Sequence, residues 1–151
     1  MDSISNIIES YIHYSKLKSD LEKTHSINSS LKKIKRNELE KINSTLEFIY
    51  QKFVDKINIM EKDKFEKVER IINLNILKVK KESNDLITSI NSFSKKNISI
   101  QDNCNDSLRY IDLISNKYLL LNELDNKVNI YRMFLNELNN CKNQKIYHKA
   151  V

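Results

Sequence analysis

Apolar residues return every three or four positions along nearly the whole chain, the spacing of α-helices that each bury one face. In the first stretch Ile4, Ile7, Ile8, Tyr11, Tyr14, Leu17 and Leu21 follow this rule, and Asp2 or Ser3 can cap the helix. The pattern weakens across Thr24 to Ser30, where small polar residues favour caps and turns over helix interiors. A short N-terminal helix over 1–25 is therefore expected, with a break before Leu31.

From there the pattern becomes heptad-like. Leu39, Leu46, Phe53 and Met60 are seven apart, and Ile42 and Ile49 fill the intervening positions. After a local change of phase the same step resumes at Phe65, Ile72, Val79, Leu86, Phe93 and Ile100. On the alternate seam Val68 fits, whereas Asn75, Glu82 and Ser89 do not, and Ile76 and Ile90 sit one residue later. A drifting seam of this kind suits a multi-helix bundle better than a strict two-stranded coil. The reading is one long central helix over 31–93. A second break is expected between Ser94 and Asn105, where Ser99 to Asp102 resembles a capping box.

The last helix, expected over 104–140, has the cleanest heptads. Ile114, Leu121, Val128 and Leu135 hold one position and Leu124, Tyr131 and Leu138 the other, with Lys117 as a polar intruder. Cys104, Leu108 and Ile111 extend its apolar face upstream, and 141–151 reads as a polar, fraying tail. The first and last helices together nearly match the central one in length. The expected fold is all-α: an elongated coiled coil, open helical hairpin or bundle of two to three long helices, forming one structural unit.

Composition sharpens this picture by exclusion. The 151 residues include no glycine and no proline, so folds built on positive-φ turns or on close backbone approach to a ligand are not expected. Hydrophobic content is 40%, below the roughly 45–50% of an ordinary globular domain, which argues against a large spherical core. Asparagine, lysine and isoleucine dominate and alanine occurs only as Ala150, a bias that reads as genomic rather than functional. The longest apolar run, Tyr118 to Leu121, falls far short of the roughly 20 residues of a membrane span. Met1 to Tyr14 lacks the layout of a secretory signal. A cytoplasmic or nuclear, non-secreted protein is expected.

Candidate chemistry is sparse. His13, His25 and His148 share no metal-ligand spacing with one another or with Cys104 and Cys141, so neither a zinc site nor a Cys–His nucleophile is expected. No catalytic residue, metal or cofactor is assigned. The net charge of +6 lies almost wholly in residues 31–100 and is densest at Lys32, Lys33, Lys35 and Arg36. That cluster can be a nuclear-import, phosphate or anionic-lipid contact, or a solvated helix face paired with Glu38 and Glu40. A weaker patch lies at Lys78, Lys80 and Lys81.

Two family likenesses are local. Phe53 to Leu86 looks like the coiled coil that follows the B-box in tripartite-motif proteins, but the zinc-binding Cys/His modules are absent. Phe53 to Ile57 resembles a short run in a small coiled-coil subunit of intraflagellar transport, and the spacing downstream does not continue it. Neither carries membership. The expectation is a non-enzymatic coiled-coil assembly subunit whose seam residues (Leu39 to Phe93 and Ile114 to Leu138, as above) dock on other helical chains, as a homo- or hetero-oligomer. The alternative is a basic helical protein that binds nucleic acid or anionic membrane through its lysine clusters.

Overall fold

The computed structural model describes residues 2–25, 28–96 and 104–150, with side chains over 4–25, 28–92 and 108–144. Among the described residues there are four helices and no strand: α1 (Asp2–Glu22), α2 (Ser29–Asn58), α3 (Lys62–Lys96) and α4 (Cys104–Ala150). The all-α bundle or hairpin fold expected from periodicity is what forms.

The first break lies where small polar residues gather. Thr24 closes α1, its backbone N–H and its hydroxyl both donating to Leu21 O, at 3.2 and 2.7 Å. Asn28 opens α2 from an extended conformation, its side-chain oxygen accepting from Ser30 N at 2.9 Å. The α1 and α2 helices pack against each other.

The central helix is not continuous. It ends at Asn58, turns through Ile59, Met60 and Glu61, and restarts at Lys62. The physical reason is visible in the heptad slip between Met60 and Phe65. In one unbroken helix, Ile57 and Phe65 would project about 80° apart at 100° per residue. The turn lets both be fully buried. Ile59 makes it from the right-handed region (φ −91°, ψ −2°), Met60 N donates to Ile57 O at 3.3 Å, and Lys64 N donates to Glu61 O at 3.0 Å. No described residue has positive φ, so this glycine-free chain turns without the left-handed conformation.

The expected polar tail is also corrected. α4 runs on to Ala150, and Cys141 is buried with its thiol donating to Asn58 Oδ1 at 3.0 Å. Cys104 and Phe93 have side chains outside the described residues, as does the capping box at Ser99 to Asp102.

Where one structural unit was expected, the chain divides into two compact units. The first holds Met1–Ile71 with Met133–Val151, and the second holds Ile72–Arg132. In the first unit the last turns of α4 meet every other helix. Phe134 contacts Tyr11 of α1 and Tyr50 and Phe53 of α2, while Lys142 Nζ reaches Glu69 of α3 at 3.7 Å. In the second unit α3 and α4 alone run antiparallel, with Ser89 opposite Lys117 and Ser83 opposite the later residues Asp125 and Val128.

Candidate interaction surface

Within the second unit and just before it, the buried stripe of α3 is Phe65, Val68, Ile72, Ile76, Val79, Ser83 and Ile90, with Leu86 half-buried. The stripe keeps the seven-residue step on two tracks, Phe65, Ile72, Val79 and Leu86 on one and Ile76, Ser83 and Ile90 on the other. After Val68 the second track lies one residue later than expected, so Ile76, Ser83 and Ile90 take the buried side in place of Asn75, Glu82 and Ser89. Ser89 and Lys117, the two polar intruders of facing helices, meet each other. Lys117 Nζ donates to Ser89 Oγ at 2.6 Å.

Most of the expected docking seam is used inside the chain. Leu46, Phe53, Phe65, Ile72, Val79, Leu124, Val128, Tyr131 and Leu138 are buried, and Leu39, Met60, Leu86, Ile114, Leu121 and Leu135 are half-buried. Phe53 and Phe65 are each 0% exposed, so neither side chain offers surface to a partner in this conformation. The expected seam is thus wholly or partly packed within the chain, Leu39, Leu46, Phe53, Met60, Phe65, Leu135 and Leu138 in the first unit and the remaining described positions between α3 and α4 in the second.

Apolar surface is left over in both units: in the first, Leu17, Leu31, Ile34, Phe48 and Ile59 are exposed, and in the second, Leu108 and Ile111, expected to extend the apolar face of the last helix, are not buried on it. In the second unit Leu74, Leu77 and Ile87 of α3 and Leu108, Ile111, Leu113, Tyr118, Leu119 and Leu120 of α4 are exposed. The run Tyr118 to Leu121 was the available signal. Four consecutive apolar residues on a helix cannot all share one face, so α4 has more apolar surface than α3 covers. Phe134 was missed for a related reason. The heptad selects Leu135, but Met133, Phe134 and Leu135 are all apolar, and the chain turns Phe134 toward α1 and α2.

An open recess of about 510 Å³ lies on one flank of this helix pair, lined among others by Lys80, Ser83 and Ile87 of α3 and Leu121, Asp125 and Arg132 of α4. Ser83 Oγ is buried there and has no hydrogen-bond partner among the described residues. A buried hydroxyl left in that state costs about 1–3 kcal/mol relative to a satisfied one.

In the first unit the polar groups are paired. Tyr50 donates its hydroxyl to Glu137 Oε2 at 2.9 Å. Partial burial, reinforced by that bond and by the Glu137 charge, pushes the Tyr50 hydroxyl up to about 12. Burial also raises Tyr11, whose ring packs edge-on to Phe134 at 5.2 Å.

The basic cluster divides by role. Lys35 is half-buried and donates to Glu22 O at 3.2 Å and Thr24 O at 2.6 Å, so it caps the carbonyl end of α1, where the helix dipole favours a cation. Lys32, Lys33 and Arg36 are exposed. Glu38, expected to pair with this cluster, is bonded to Lys41 at 3.2 Å instead. Among the described residues no group of three His, Cys, Asp or Glu could hold a metal ion, and no helix is long and apolar enough to cross a membrane. Comparison with protein-family models, curated proteins and solved structures finds no match to this chain.

Proposed function

We propose that this chain is a non-enzymatic assembly subunit that docks on other helical chains within a larger complex of the cytoskeletal, kinetochore or vesicle-tethering kind, in the cytoplasm or nucleus. The observation that carries the reading is the exposed apolar surface of the second unit. Two helices bury one stripe between them and leave Ile87, Ile111, Tyr118 and Leu119 in water. An apolar surface of that extent on a hairpin is the kind that a further helical layer covers. Burial of these side chains supplies the affinity, and flanking charges select register and orientation.

Binding of nucleic acid or anionic membrane through the lysine clusters is the weaker reading, because Lys35 is already committed to the end of α1. Affinity capture from the native cell separates the two. Ile111→Lys with Tyr118→Lys is expected to abolish recovery of helical partners. Replacing Lys32, Lys33 and Arg36 with glutamine is expected to leave recovery intact at moderate salt. The reverse pattern would move the function to the charged face.

A further inference from the structure

We infer that the uncovered flank of the second unit is filled by a second copy of this chain, so that two α3–α4 hairpins complete a four-helix layer. The inference rests on the assembly reading above and names its partner. The recess floor holds Ser83, Ile87 and Leu121, and its rim holds Lys80, Asp125 and Arg132. On α4, Ile111, Tyr118, Asp125 and Arg132 are each seven residues apart, so one helix stripe carries the recess up past Tyr118 to Ile111. Ile111 and Tyr118 are 56% and 53% exposed.

Three features favour a second copy. The first is charge. The rim carries both signs, Lys80 and Arg132 against Asp125, so two copies related by a two-fold axis offer each other opposite charges. A partner recognised by charge alone would more naturally meet a rim of one sign. The second is area. Two adjacent helices, each about 10 Å wide, present about 600 Å² over the roughly 30 Å from Ile111 to Arg132. That equals the lower bound of about 600 Å² per partner for a specific dimer. The third is the Ser83 hydroxyl, buried and unpartnered among the described residues. It lines the recess, where a polar group of the facing copy, such as the Asp125 carboxylate, can reach it.

The test is sedimentation equilibrium of the full chain and of two rim variants, with circular dichroism to confirm helicity. The wild-type chain is expected at twice its 17.9 kDa monomer mass at tens of micromolar. Asp125→Arg makes the rim wholly cationic, and Lys80→Glu with Arg132→Glu makes it wholly anionic. Each variant alone is expected to weaken self-association at least tenfold, and an equimolar mixture of the two is expected to restore a one-to-one dimer. A wild-type chain that is monomeric at 100 µM, roughly the upper end of weak specific association, overturns the inference. So do rim variants that dimerise as the wild type does. A monomeric chain that still captures helical partners through Ile111 and Tyr118 refutes the second copy and leaves the assembly reading standing. A monomeric chain that captures none removes both.

Discussion

The same helix behaves in two ways along its length. Around Phe134, α4 is surrounded: rings from α1 and α2 pack on it at 4.7 to 5.7 Å, and its side chain is 0% exposed. Around Tyr118, α4 meets α3 on one side only and turns apolar residues to water on others. Of the eight most deeply buried large side chains, seven lie in the first unit, and the eighth, Ile72, is the first residue of the second. The half-buried Tyr50 is bonded to Glu137 in the first unit, whereas the second pairs Lys117 with Ser89 and leaves buried Ser83 without a partner among the described residues. Helix-forming sequence is therefore not the scarce resource in this chain. What separates the two halves is how many neighbours each helix has, since most helical stability in water comes from packing an apolar face.

The largest expected effect tests the surrounded half. Phe134→Ala removes a fully buried ring from a junction of three helices and is expected to cost about 3–5 kcal/mol, read as a drop in the urea midpoint. Tyr118→Ala in a dilute sample is expected to change stability by no more than about 0.5 kcal/mol. If the two variants unfold alike, the contrast between the halves fails. A smaller effect sharpens the comparison through pH. The folded-state pKa of Tyr50 is raised from 10.0 to about 12, so its contribution is fully present below pH 10 and is lost as pH rises toward 12. Tyr50→Phe is expected to cost about 1 kcal/mol at neutral pH. It should also flatten that alkaline decline, measured by stability at stepped pH alongside tyrosinate absorbance. The smallest effect concerns the α1–α2 corner, where Lys35→Gln is expected to cost about 0.5 kcal/mol by uncapping α1. Lys33→Gln, with no such carbonyl partners, serves as its control.

Helical class and the polar break near Thr24 to Ser30 were legible because small capping residues gather there, and the capping box of the second expected break lies outside the described residues. The turn at Ile59 to Glu61 was not legible. Met60 sits on the heptad and no glycine or proline marks the corner; the slip in phase before Phe65 was the sole trace. The buried positions themselves were readable, but their partners were not. Periodicity says that a stripe is buried without saying whether the same chain or another covers it, and here the four helices of the first unit cover much of it. Ser83 was hidden because a serine gives no apolar signal, although it lies seven residues from both Ile76 and Ile90. Ile111 was read as part of the apolar face of the last helix and is exposed instead, and Tyr118 was passed over for the better heptad beside it.

The central claim, that one half of the chain stands alone and the other requires a cover, is tested most directly by native-state hydrogen exchange of the full chain across a dilution series. In the most dilute sample, amides of α2 around Leu46 to Ile57 and of α4 around Phe134 to Cys141 are expected to stay strongly protected. Those of α3 around Val79 to Ile90 and of α4 around Ile111 to Asp125 are expected to exchange much faster, and to gain protection as the chain is concentrated. Equal protection of the two regions in the dilute sample would contradict the account.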